Sequence, residues 1–374
     1  MNKLENFKFK ILLNFILCSI VSIFMIFFMR YLGVPFENIF KSYDAEHYIN
    51  IAINGYQKDF EYAFFPLTSI IFNFFYIFGF DVACILFFIF NQILKWFSLI
   101  FIYEISKKQK YDENILFFIC NVFIWSPLMF FYTIPYSETI MIFLIAASFY
   151  LLLVIDNKKW YHYILLGCAI GLNVFSKATG ALFFFSIFIY MFIQLINKKE
   201  KFKNIFMTYV IATPLSLLYP IYLFVIGKSP FFFITVENTE WGHQKSNIIL
   251  NFIYDILFIK NETNIDLIPT HIFTFFMTWF FTIFSFYLII KNILKRKNIF
   301  LCIVLLIYIL FINSTYRINF CLGTVSTYRY ILRCPIFFVL MDISNKKAQN
   351  ILLHGFIILG ILLFVFNTFG MFIA

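Results

Sequence analysis

Charge is scarce in this 374-residue chain: Asp, Glu, Lys and Arg together supply 13% of it. A soluble domain carries about a quarter. The shortfall excludes a soluble enzyme, and 62% hydrophobic content excludes a disordered chain. The seven cysteines form no C-x-x-C pair and no metal-ligand spacing, so no metal site is expected. Cys18, Cys84, Cys120, Cys168 and Cys302 lie inside apolar runs, where thiols pack as small hydrophobes. No internal repeat, low-complexity tract or soluble domain is present.

What is abundant is aromatic and aliphatic surface: 59 Phe and 23 Tyr, with a mean hydropathy of +0.87. One core cannot hide that much, so the fold class is all-α and polytopic in a membrane. About 20 mostly apolar residues cross the hydrocarbon layer. Eleven such stretches are read at residues 11–29, 82–103, 115–131, 139–155, 161–175, 181–196, 205–226, 269–290, 299–311, 328–341 and 351–370. The first follows Lys3, Lys8 and Lys10 without a small-residue cleavage site, and is expected to be a signal anchor. Residues 64–80 open with Phe64-Phe65-Pro66 and are expected to form a re-entrant or juxtamembrane helix. The triplets Phe183-Phe184-Phe185 and Phe231-Phe232-Phe233 are expected to face lipid.

Five short basic interruptions, at 107–110, 156–159, 197–203, 291–297 and 344–347, combine with the N-terminal segment to hold 18 of the 29 basic residues. Short loops rich in Lys and Arg stay cytoplasmic. The formal charge of +10 therefore reports orientation, not nucleic-acid binding. The N-terminus lies inside and the C-terminus outside. Residues 1–374 form a single domain with two large outer loops, 30–66 and 227–268. Twelve of the 19 acidic residues, Glu262 and Asp266 among them, fall on the outer side. Chemistry belongs there.

In the first outer loop Asp44 and His47 are three apart, sharing a helix face if the segment is helical. A carboxylate beside an imidazole at the bilayer lip suits a general base with an orienting partner; it equally suits a solvated interfacial helix. Arg329 and Arg333, spaced i, i+4, present one cationic face for phosphate, since Arg offers a bidentate fork. Lys177 is a further candidate in an outer turn. The competing reading for all three is snorkelling to the interface. Arg317, with no helical partner of its own sign, reads as an anchor. Glu138 at the start of a span is either a site carboxylate or a helix N-terminal acid favoured by the dipole. Glu46, Glu61, Trp241 and His243 are candidates for binding acceptor hydroxyls or a sugar ring, or are ordinary loop residues. His162, His271 and His354 read as packing or interface histidines.

The order Asp44…His47…Ile51-Ala52…Gly55-Tyr56…Ala63-Phe64-Phe65-Pro66-Leu67 resembles the first outer loop of the GPI mannosyltransferase II (PIG-V type) family, with Tyr43 in place of the usual Trp. Weaker similarities run through Tyr136-Ser137-Glu138, through Ser176-Lys177…Gly180 with Lys in place of Arg, through Trp241-Gly242 as in bacterial members, and through Arg329-Tyr330…Pro335. The resemblance implies a GT-C glycosyltransferase, mannosyltransferase-like. Such an enzyme moves a sugar from a polyprenyl (dolichyl) phosphate to a hydroxyl of a glycolipid or glycan on the non-cytoplasmic side. It implies Asp44 as the base of an inverting displacement. A monophosphate leaving group needs no divalent metal, so no cofactor is expected beyond the lipid-linked donor. The expected partners are the bilayer, that donor and the acceptor. Eukaryotic members work on the GPI precursor in the endoplasmic reticulum; the short loops fit bacterial members and a plasma membrane. A multi-pass transporter or flippase is the alternative, weakened by the missing repeat. A non-catalytic subunit is a third.

Overall fold

The computed structural model of the chain describes residues 3–261, 268–317, 324 and 326–369. Glu262, Asp266 and the end of the 227–268 loop lie outside the described residues.

In chain order the helices are α1 (Lys3–Tyr31), α2 (Phe36–Phe40), α3 (Asp44–Asn54), α4 (Leu67–Tyr76), α5 (Phe80–Lys108), α6 (Glu113–Ile124) and α7 (Glu138–Leu153). They continue with α8 (Trp160–Ser176), α9 (Gly180–Ile196), α10 (Phe202–Val225), α11 (Phe232–Thr239), α12 (Ile248–Asn261) and α13 (Ile268–Leu294). The last are α14 (Ile299–Ile312), α15 (Thr327–Arg333), α16 (Pro335–Val339) and α17 (Lys346–Thr368). A 3-10 turn covers Asp59–Ala63. Strands β1 (His243–Lys245) and β2 (Thr315–Arg317) pair antiparallel, with His243 opposite Arg317.

Of the eleven stretches read as spans, α1, α5, α10, α13 and α17 contain single helices long and apolar enough to cross a membrane. Shorter apolar helices include α4, α6, α7, α9 and α14. Two expectations change. Residues 328–341 are no lipid-facing span: the stretch divides into α15 and α16 at Cys334-Pro335, and its side chains are buried or half-buried. Proline at the first position of α16 needs no amide partner there. The apolar run from Ile115 ends its helix at Ile124, and 125–137 proceeds as buried turns. The Phe triplets also divide. Phe183 is buried against Phe149 and Tyr308, while Phe185 and Phe231 are exposed.

The basic loops do share one face. Lys108 Nζ lies 2.6 Å from Asp156, and Asn298 donates to the Tyr111 hydroxyl at 2.8 Å. Tyr163 reaches Glu200 at 3.1 Å, and Lys295 meets Asp342 at 2.7 Å. These contacts join all five interruptions at one end of the bundle. The opposite end carries α3, the 3-10 turn, α11 and the β1–β2 ribbon.

Close helix packing positions that end. A Cβ on Gly171 of α8 would fall 2.6 Å from Leu215 Cβ in α10, and one on Gly167 would fall 2.4 Å from the Thr208 carbonyl. Two glycines four apart let the backbones touch. A Cβ on Gly180 would lie 2.4 Å from the Asn173 carbonyl. The turn carrying Lys177 closes tightly only because Gly180 has none.

Candidate active site

Helix α3 begins at Asp44, directly after Tyr43, whose φ of 53° and ψ of −125° are strained for a residue with a side chain. The Asp44 amide donates to the Tyr136 hydroxyl at 2.9 Å, and the Tyr48 hydroxyl donates to Ser137 at 3.2 Å. The buried turns before α7 thus fix the first turn of α3.

The Asp44 carboxylate accepts from Arg329 Nη2 at 3.2 Å, its side chain keeping 21% exposure. Burial alone would raise its pKa. The charges of Arg329, Lys177 and Arg317 outweigh burial and hold it below the usual carboxylate range. His47 is not its hydrogen-bonded partner. The imidazole packs between Phe60, Phe64 and Trp241, with centroids 5.3, 4.7 and 5.8 Å away.

Behind Asp44 lies a sealed charge cluster. Glu138, with no exposed surface, has Oε1 at 3.5 Å from Arg329 Nε and 3.6 Å from Arg333 Nη1. Arg333 also donates to the Tyr308 hydroxyl at 3.0 Å and to Thr179 Oγ1 at 3.1 Å. The two arginines therefore do not present an open cationic face at headgroup depth. A full guanidinium cannot stay unpaired inside a bundle, so the carboxylates claim both.

Beside the cluster opens a cavity of about 370 Å³. Lys177, Glu237, His243, Arg317, Thr179 and Tyr330 are among its polar lining, while Phe233, Ile234, Phe311 and Ile312 are among its apolar lining. Asp44, Arg329 and Arg333 are not among the lining residues. Arg317 is no simple anchor: its Nε donates to His243 Nε2 at 2.8 Å, and its guanidinium lies 5.6 Å from the Trp241 ring centre. His243 Nε2 also lies 3.2 Å from Glu237 Oε2, and Nδ1 lies 3.2 Å from Thr315 Oγ1. Burial and Arg317 push the imidazole down to about 3, so the ring is neutral near pH 7. Burial raises the Glu237 pKa, with the charges of Arg317 and Lys177 opposing it.

The remaining sequence candidates separate. Glu61 is buried and accepts from the amides of Gln57 and Lys58 at 2.7 and 3.1 Å, which commits one oxygen to the 3-10 turn instead of an acceptor sugar. Glu46 is exposed on α3. Trp241 Nε1 donates to the Phe60 carbonyl at 3.2 Å, and Trp241 is not among the cavity's lining residues. Arg317, Glu237, Tyr330 and Tyr136 were not singled out as site residues in the sequence. The excess of outer-face cations in a positive-inside protein was the available signal for Arg317.

Residues 66–224 match the family model of the dolichyl-phosphate-mannose-protein mannosyltransferases. The match spans less than half of the chain. It supports a multi-pass membrane glycosyltransferase of mannosyltransferase-like, GT-C kind, working with a polyprenyl-linked sugar. It includes Glu138 and Lys177 but begins after Asp44 and ends before Arg317. It does not support the GPI-specific PIG-V type, whose resemblance rests on the first outer loop. No curated protein matches the chain.

Proposed function

We propose that this chain transfers a mannose-like hexose from a polyprenyl phosphate to a hydroxyl of a glycolipid or glycan on the non-cytoplasmic side, with inversion. The observation carrying the proposal is an ionised Asp44, clamped by Arg329, in the cluster beside a cavity whose lining combines cations with apolar side chains.

Each part of the donor finds chemically suited residues in the lining. Lys177 and Arg317 suit the phosphate, Glu237 and His243 suit sugar hydroxyls, and Ile234, Phe311 and Ile312 suit an isoprenoid tail. Asp44 accepts the proton of the attacking hydroxyl late, once bond formation has acidified it, because its own basicity is low. Arg329 holds the carboxylate in place and, with Arg333, adds positive potential behind the leaving group. His47 serves as packing for the α3 turn. No metal is required by this scheme, since the cations present carry the charge of a monophosphate.

The test is discharge of radiolabelled polyprenyl-phosphate mannose by membranes that contain the full chain and the native acceptor. Asp44→Asn should stop transfer while membrane insertion and abundance stay unchanged. Near-normal transfer by Asp44→Asn overturns the base. A wild-type protein that moves the lipid without cleaving it would instead be a flippase or transporter.

A further inference from the structure

We infer that Tyr330 is a catalytic hydrogen-bond donor to the departing phosphate oxygen, an inference that rests on the proposed transfer reaction. Tyr330 is on α15 and lines the cavity. Its ring lies 4.5 Å from the Arg333 guanidinium, 5.3 Å from that of Arg329 and 5.0 Å from Lys177 Nζ. Three cations against one phenol ring withdraw electron density from it and strengthen its O–H as a donor.

Most of the other cavity hydroxyls already have a hydrogen-bond partner, Thr179 and Ser326 as acceptors only. Thr179 accepts from Arg333, Ser326 accepts from Arg329 and Thr315 meets His243. Thr324 is bonded to Asp255, and Ser314 donates to the Phe311 carbonyl. The Tyr330 hydroxyl makes no hydrogen bond among the described residues, and it is not one of the buried orphaned groups. It is an open donor in the wall. Its backbone is held: the amide donates to Ser326 at 3.1 Å and the carbonyl accepts from Tyr308 at 3.1 Å.

The step balances without net proton transfer from Tyr330. The acceptor oxygen forms its bond to the anomeric carbon and its proton passes to Asp44. The bond from that carbon to the phosphate oxygen breaks, and its electron pair stays on phosphate. The hydrogen bond from the Tyr330 hydroxyl to that oxygen shortens as negative charge builds, which is the geometry of a preorganised donor for developing charge. This arrangement also explains the buried arginines. They act on the leaving group through the phenol ring and not by touching the phosphate.

Tyr330→Phe keeps the ring and its three cation contacts, so folding should be retained. In the membrane assay with polyprenyl-phosphate mannose, kcat should fall on the order of a hundredfold, the range for loss of one oxyanion-type donor, while donor KM changes less than about threefold. A non-bridging phosphorothioate donor, whose leaving group is less basic, should lose less from the same substitution. An unchanged kcat in Tyr330→Phe overturns the inference, as does a loss confined to donor KM. These failures leave the proposed transfer reaction standing, because the wild-type protein would still discharge the donor. If wild type discharges none of the mannose, glucose or galactose donors, the transfer reaction itself fails.

Discussion

Glu138 Oε1 lies 3.5 Å from Arg329 Nε, with both side chains almost wholly removed from solvent, and the same oxygen faces Arg333 at 3.6 Å. One carboxylate thus shares two buried guanidiniums, and Asp44 supplies the second negative charge at the cluster's edge.

Removing that shared carboxylate leaves Arg333 with no carboxylate among the described residues and Arg329 with Asp44 alone. Glu138→Ala should lower stability by about 3–5 kcal/mol, the cost of breaking a buried pair, seen as a lower unfolding midpoint in detergent. Glu138→Leu combined with Arg333→Met should regain part of the loss. If Glu138→Ala unfolds at the wild-type temperature, the cluster does not hold the site together.

Asp44 is held ionised by its cationic neighbours, with Lys177 acting after Arg329. A depressed pKa means the carboxylate protonates, and activity falls, only as pH drops through that lowered value. Lys177→Met should move the acid limb of the rate–pH profile upward by up to about one unit. The alkaline side should not move through Asp44. A downward shift, or none, would refute the electrostatic link.

Gly171→Val forces a side chain against Leu215 and the Ala212 carbonyl, 2.6 and 2.8 Å from the position of its first carbon. The expected cost is about 1–3 kcal/mol or more. Because α8 ends at the Lys177 turn, loss of donor affinity should accompany the loss of thermal stability. Wild-type values for both would show that α8 and α10 separate without consequence.

Lys95 is buried in α5, with Nζ 3.4 Å from Cys18 Sγ and 4.8 Å from the Tyr132 ring centre. Methionine keeps the stem and removes the charge. Lys95→Met should be neutral or up to about 2 kcal/mol more stable, with transfer unchanged; a loss of transfer at unchanged stability would make Lys95 part of the chemistry.

Much of the sidedness was legible because it depends on composition. Dense Lys in short loops fixed one face, and Lys108–Asp156 and Lys295–Asp342 close those loops together. The site was legible only in part. Asp44 stood out by its motif, yet its partner Arg329 is distant in sequence, and nothing local distinguishes a buried Arg from a snorkelling one. Periodicity read 328–341 as one span because an apolar run looks alike whether lipid or protein surrounds it. Glu61 carried no mark of its structural use, since a carboxylate that caps its own loop has the same spelling as one that awaits a sugar. His243 and Arg317 face each other only through the β1–β2 ribbon, a pairing that short strands do not announce.

The break at Cys334-Pro335 bears on biogenesis. The segment carrying Arg329 and Arg333 is too short in each half and too charged to enter lipid alone. Glu138 is synthesised well before it and must wait at depth uncompensated. The arginine segment therefore enters a bundle that lacks only α17, and a ribosome stalled before Thr327 would leave a protein whose interior still carries an unanswered negative charge.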